Sequence, residues 1–217
     1  MTRQRAIFRE PTSGFTHLAG AVLSFLFLIL LIFLTWEDTP KMIALVVFAT
    51  TATLLYSASA ILHLTYAPPG MLNTLNRLDR VSIYLVIAGT YTPICYAFWD
   101  GTWRVVILIL MWSIAIIGSL YVIFRYKRGI TNILPMTLTY IAMGVVGVIA
   151  LPQATIPTGA IVLIAVGGVT YLAGSVVYSR DKPNLHPRFN AHDLWHIFVL
   201  AGSGFFYVMI LLYVVPA

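Results

Sequence analysis

The sequence predicts an all-α integral membrane protein of seven transmembrane helices, forming a single domain over residues 1–217. Three observations support this fold class. Apolar residues make up 60% of the chain and charged residues only 9%, unlike the composition of soluble globular domains. Seven apolar stretches each approach the roughly 20 residues that cross the hydrocarbon core as a helix. Basic residues are concentrated in alternate intervals between these stretches.

Each apolar stretch is bounded by charge, proline or glycine, which marks its ends as membrane interfaces. The first stretch follows three arginines and has no small-residue cleavage site after it, so we interpret it as a retained helix rather than a signal peptide. The connecting loops are short, and we find no internal repeat or low-complexity segment. The predicted spans are residues 15–36, 42–66, 81–98, 103–124, 133–151, 159–179 and 192–215.

The lysines and arginines predict how these spans are oriented, because positively charged loops stay in the cytosol. One side of the membrane carries only Lys41 and Arg104. The other carries eleven basic residues: Arg3, Arg5, Arg9, Arg77, Arg80, Arg125, Lys127, Arg128, Arg180, Lys182 and Arg188. This asymmetry predicts a cytosolic N-terminus and an external C-terminus. Because the net charge of +6 is dispersed in small groups, we expect no nucleic-acid partner.

Ionisable side chains at membrane depth are costly and are therefore candidates for function. In the predicted topology, several of them fall at one level near the cytosolic face. His63 lies one turn before the end of the second helix, and Asp79 lies at the start of the third. The first turns of the seventh helix carry His192, Asp193 and His196. Their shared depth follows from the antiparallel topology, not from their spacing along the chain.

Two histidines four residues apart, His192 and His196, stack on one face of a helix in the geometry of a metal site. His63 can supply a third neutral nitrogen and leave a fourth tetrahedral position for water, the pattern of a catalytic zinc. Ser59, one turn from His63, can direct its hydroxyl toward the same pocket. Asp79 can orient the bound water or accept its proton.

Each of these residues also has a structural interpretation. An H-x-x-x-H pattern on a helix is a weak signal by itself, and Ser59 alone suits close packing of membrane helices. Asp79 can instead act as a helix N-cap or pair with Arg77 or Arg80. Asp193 lies in a first helical turn, where the helix dipole favours an acidic side chain, so we assign it no chemistry.

The other histidines and the single cysteine are weaker candidates. His17 lies at the same end of the bundle, and we favour a pocket hydrogen bond or an interfacial role over metal ligation. His186 lies among prolines in a loop, where we expect it to be solvated. Cys95 has no second cysteine, so an intrachain disulfide is impossible.

Three motifs resemble those of a known family. They are E-P-T-S-G-F-T-H at residues 10–17, S-A-S-A-I-L-H continuing to L-N-R-L-D-R-V-S-I-Y-L-V-I-A-G-T-Y-T-P over residues 57–93, and H-D-L-W-H at residues 192–196. Over nearly its whole length the chain resembles the hemolysin III family of bacterial membrane proteins. These are relatives of the progestin and adipoQ receptors, including the adiponectin receptors, in a superfamily that also contains alkaline ceramidases.

The resemblance implies three zinc ligands, namely His63, His192 and His196. It also implies that Asp79 lies near the zinc-bound water and that Ser59 is the serine of the S-x-x-x-H motif. The chain departs from the family pattern at Ser13, where an asparagine is usual. A role that depends on a side-chain amide there is not carried over.

These observations favour a zinc-dependent intramembrane hydrolase that acts on the amide or ester bond of a membrane lipid, since zinc can activate water at neutral pH. The neutral nitrogen ligands and the resemblance together favour zinc over other metals. One alternative is a non-catalytic protein with a structural zinc, in which His17 would be the fourth ligand. Another is a cytolysin or pore-forming hemolysin. The resemblance implies a location in the bacterial inner (plasma) membrane, and the topology predicts a metal site near the cytosolic face.

Overall fold

The computed structural model of the chain describes residues 7–127, 134–186 and 189–217. Within these residues it contains seven α-helices and no β-strand. Each helix is long and apolar enough to cross a membrane, which confirms the predicted fold class. The helices are α1 (Pro11–Leu34), α2 (Thr39–Leu64), α3 (Pro69–Phe98), α4 (Gly101–Lys127), α5 (Leu134–Ala150), α6 (Thr158–Arg180) and α7 (Ala191–Met209).

Most helix boundaries lie within a few residues of the predicted spans. The bundle also has two short irregular extensions. A 3₁₀ turn (Leu151–Gln153) continues α5, and a π-helical turn (Ile210–Val214) continues α7. The predicted start of the fifth span, Ile133, lies outside the described residues, as do four basic residues used to predict orientation: Arg3, Arg5, Arg128 and Arg188.

Prolines and polar caps explain where several helices begin. Pro11 is the first residue of α1, a position where the missing proline N–H costs nothing. At α2, the Asp38 carboxylate accepts the backbone N–H of Lys41 at 3.1 Å. At α7, the Asn190 side chain accepts the N–H groups of the first turn, and Asp193 accepts the N–H of Asn190 in return. This reciprocal capping box fixes the start of α7.

Helix α3 begins twelve residues before the predicted span at residue 81. Residues 69–80 are too polar to be recognised as membrane helix, but Pro69 starts the helix and the side chain of Asn76 donates back to the carbonyl of Leu72 at 2.9 Å. With 30 residues, α3 is about 45 Å long. It therefore exceeds the hydrocarbon core of about 30 Å, and its first turns extend beyond it.

The helices pack in chain order, with α1 on α2, α2 on α3, α3 on α4 and α6 on α7, and α7 also contacts α1. The contact between α7 and α1 places the end of α2 beside the start of α7. A large apolar cluster that includes Phe48, Trp99 and Met209 fills much of the interior of the bundle. A smaller cluster that includes Tyr56 and Val199 lies nearer to the histidines.

Candidate metal centre

Three histidines meet at one end of the bundle, where α2 ends and α7 begins. The Nε2 atom of His192 lies 3.4 Å from Nε2 of His63 and 3.1 Å from Nε2 of His196. One nitrogen from each of the three residues lies within 4.8 Å of the others. His63 and His196 are 5% and 2% exposed, respectively. We call these three residues the histidine triad.

The triad fits a tetrahedral metal ion. Zinc–nitrogen bonds of 2.0–2.1 Å at tetrahedral angles place two ligand nitrogens about 3.3 Å apart, close to the distances of Nε2 of His192 from the other two Nε2 atoms. Hydrogen bonds alone would require one of the three Nε2 atoms to carry a proton, whereas a metal ion satisfies all three lone pairs. The triad can therefore hold a metal ion, as the sequence predicted for these histidines.

The second nitrogen of two triad members has a hydrogen-bond acceptor. The Nδ1–H of His63 donates to the carboxylate of Glu10, and the Nδ1–H of His196 donates to the backbone carbonyl of Ser13 at 3.1 Å. Such partners select the tautomer in which Nε2 carries the free lone pair, and they hold the ring in its orientation. The hydrogen bond from His63 lowers the pKa of Glu10 below its usual value, so this acceptor stays ionised at neutral pH.

Both acceptors belong to residues 10–13, which we call the N-terminal strap. The strap is itself held in place, because the N–H of Glu10 donates to the carbonyl of His63 at 2.9 Å. The hydroxyl of Ser13 donates to the carboxylate of Asp193 at 2.6 Å. The strap, which forms the start of α1, is therefore bonded both to the end of α2 and to the start of α7. It contacts two of the three triad histidines.

The two residues predicted to assist catalysis lie beside the triad. Ser59 is buried one turn before His63, and the Asp79 carboxyl interacts with the Ser59 hydroxyl and lies near His63. The alternative in which Asp79 caps its helix is wrong, because α3 begins at Pro69 and places Asp79 almost three turns inside it. The catalytic roles of Asp79 and Ser59 stay predictions.

His17 also lies against the triad. Its ring stacks on that of His196 with centroids 3.7 Å apart and planes inclined by 21°. Neither of its ring nitrogens has a hydrogen-bond partner among the described residues. The expected role of His17, a pocket hydrogen bond or an interfacial position, stays a prediction. His186, by contrast, is exposed in the loop before α7, as expected.

Two contacts near the triad, those of Glu10 with His63 and of Ser13 with Asp193, are not predicted from the sequence. Sequence reasoning gives Glu10 no definite role, and it gives Asp193 no chemistry because the helix dipole explains a first-turn acid. Asp193 does cap α7, but it also accepts the hydroxyl of Ser13. The only signal for either contact is the position of Glu10 and Ser13 in the first motif.

The fold and the site define a multi-pass membrane protein with a buried three-histidine centre that can hold a metal ion. Residues 5–207 match the model of the haemolysin-III related family, and the chain belongs to this family. It is 34% identical to hemolysin-3 of Bacillus cereus over 221 residues, covering 100% of this chain and 97% of that protein. It is 32% identical to the hemolysin-3 homolog of Bacillus subtilis (strain 168) over 213 residues, covering 96% of each chain.

Proposed function

We propose that this protein is a zinc-dependent hydrolase that cleaves the amide or ester bond of a membrane lipid. The observation that carries the proposal is the convergence of three histidine nitrogens within 4.8 Å of one another, with Nε2 of His192 at 3.4 and 3.1 Å from those of His63 and His196. Two of the rings have their Nδ1 atoms committed to acceptors on the strap, so their Nε2 atoms are free to bind a metal. Three protein ligands leave a fourth position open, which is the pattern of catalytic rather than structural zinc.

Zinc held by the triad would supply a Lewis acid that polarises a carbonyl group and activates water at neutral pH. The remaining roles fall to the side chains around it. The Asp79 carboxylate accepts the proton of the attacking water, and Ser59 donates a hydrogen bond that holds this carboxyl in place. Glu10 and the Ser13 carbonyl keep two triad rings oriented. Burial of the triad limits access of bulk water to the reacting bond.

The position of the triad suggests the kind of substrate. The triad lies at one end of the bundle, at the level where α2 ends and α7 begins. The basic residues near this end favour the cytosolic face of the inner membrane. A scissile bond between a lipid head group and its acyl chain would lie at this depth, with the chain between helices. A membrane lipid is therefore the substrate that we propose.

A structural zinc with His17 as fourth ligand is the main alternative, because His17 lies beside the triad. Imidazole binds metals through a lone pair in the plane of its ring. The rings of His17 and His196 are stacked face to face at 3.7 Å. Their lone pairs lie in two nearly parallel planes, so both cannot point at one ion. The stacking therefore disfavours a closed four-histidine site.

The relatives' names raise a second alternative, a lytic protein that forms a pore. An aqueous pore needs a continuous polar lining. The large buried cluster in the interior of the bundle is apolar, built from residues such as Leu45, Met111 and Ile210. This packing favours a closed bundle, and any lytic effect of such a protein would then arise indirectly through altered lipid composition.

The first test is the metal content of the detergent-purified protein, measured by elemental mass spectrometry. We expect about one zinc per chain in the wild type and in the control variant His186→Ala, and loss of zinc in His192→Ala. The zinc-loaded protein is then incubated with lipid amides and esters, and released fatty acid is measured. No zinc in the wild type after zinc is added back would refute the metal centre. Zinc without release from any lipid would refute the hydrolase.

A further inference from the structure

His17 is the one buried histidine near the triad that the proposed function does not use. It is 3% exposed, and both of its ring nitrogens lack a hydrogen-bond partner among the described residues. A neutral imidazole always carries one N–H donor and one bare acceptor nitrogen. Because burying both without partners costs free energy, such a residue calls for a partner supplied from outside the chain.

Packing around His17 restricts where that partner can lie. One face of the ring is covered by His196, and the ring meets Tyr56 at an angle of 82° with centroids 5.1 Å apart. The ring is thus packed against two other rings, and its hydrogen bonds can form only in the plane of the imidazole. Since the His17 ring is stacked on His196, its buried nitrogens lie close to the triad.

Two glycines on α1 keep His17 in this position. A Cβ atom at Gly14 would lie 2.4 Å from the side chain of Leu64 on α2, and one at Gly20 would lie 2.7 Å from the side chain of Leu200 on α7. Each glycine is three residues from His17, one before and one after. Their missing side chains let α1 approach α2 and α7 closely, which presses His17 against the triad.

We propose that His17 donates a hydrogen bond to the carbonyl oxygen of a ligand bound beside the triad, an inference that rests on the proposed function. In the hydrolase, this ligand is the lipid substrate, and the oxygen is that of its amide or ester carbonyl. The stacked geometry that prevents His17 from sharing a metal ion with His196 still leaves its in-plane N–H available to a molecule next to that ion. His17 is thus a substrate-binding residue and not a metal ligand.

The test measures binding of octanohydroxamic acid, whose carbonyl head group carries a seven-carbon alkyl chain, to zinc-loaded protein by isothermal titration calorimetry. His17→Phe keeps a stacking ring but removes the N–H, and His186→Phe is the matched control in an exposed loop. We expect about one zinc per chain in all three proteins. Octanohydroxamate should bind about tenfold more weakly to His17→Phe than to the others, as expected for one lost hydrogen bond to a buried oxygen.

Two conservative variants separate hydrogen bonding from packing. The amide nitrogen of asparagine lies near the position of Nδ1 in histidine, and that of glutamine lies near Nε2. One of His17→Asn and His17→Gln should therefore recover most of the affinity, while His17→Ala should not. If His17→Phe does not fold, as judged by gel filtration and helical circular dichroism, these three variants decide the question. Equal octanohydroxamate affinity in all three would overturn the proposal.

Other outcomes would also overturn it. Wild-type affinity in a zinc-loaded His17→Phe variant would mean that His17 only packs. Loss of zinc from that variant would make His17 a ligand and revive the structural-zinc alternative. A wild type without zinc, or one that does not bind octanohydroxamate, would remove the proposed contact. Suppose instead that the wild type binds zinc, and binds octanohydroxamate with the expected dependence on His17, yet cleaves no lipid. That result would refute the hydrolase but leave the contact between His17 and the ligand standing.

Discussion

Replacing Glu10 by alanine removes the carboxylate that accepts the Nδ1–H of His63. His63 would then lose the contact that selects its tautomer and ring orientation. Loss of such a partner typically weakens metal binding by 10- to 100-fold. The Glu10 side chain is 46% exposed, so water can take over part of its role. We therefore expect the lower end of this range, about a tenfold weaker affinity for zinc.

The affinity would be measured by competition with a fluorescent zinc chelator in detergent, with Glu37→Ala as the control. Glu37 is an exposed carboxylate at the opposite end of the bundle, so its loss changes the charge equally without touching the triad. Glu10→Gln should give an intermediate affinity, because its amide oxygen can still accept the hydrogen bond. An affinity of Glu10→Ala within twofold of the wild type would refute the orienting role of Glu10.

The pH range in which this assay is informative follows from the ionisation state of the Glu10 carboxyl group. The hydrogen bond from His63 lowers the pKa of Glu10 below its usual 4.5. A carboxylate with a depressed pKa contributes its stabilisation above the unfolded-state pKa and loses it as the pH falls through the folded-state value. The difference between wild type and Glu10→Ala should therefore stay constant from about pH 6 to 8. A difference that vanishes within this window would contradict the assigned charge state.

Two further predictions concern the packing that supports the site. Gly89→Ala should lower the free energy of unfolding by about 1–3 kcal/mol, because its Cβ would lie 2.1 Å from Oγ1 of Thr51. Gly144→Ala is the control, since no atom lies within 4 Å of its Cβ position. Ser203→Ala should cost about 1–2 kcal/mol, because the hydroxyls of Tyr56 and Tyr171 both bond to this serine. Denaturant titration in detergent measures both effects, and values equal to the control or wild type would contradict them.

The sequence is sufficient to predict the helices and part of the site. Apolar length alone indicates seven spans, because only continuous helices can satisfy the backbone in lipid. The four-residue spacing of His192 and His196 is enough to place them on one face of a helix. The polar start of α3 is not recognised in this way, since hydropathy reports burial in lipid and not helicity. That omission makes Asp79 look like a candidate cap.

Only the tertiary structure decided how the first motif takes part in the site. Glu10, Ser13 and His17 reach the triad because α1 contacts both α2 and α7. No local pattern encodes contacts such as those of Glu10 with His63 and Ser13 with His196, which are 53 and 183 positions apart. Sequence periodicity reports which face of one helix is apolar or polar. It does not report which helices are neighbours, because in a bilayer every helix can satisfy its apolar surface against lipid. Close packing of small residues and hydrogen bonds between helices determine which helices are neighbours.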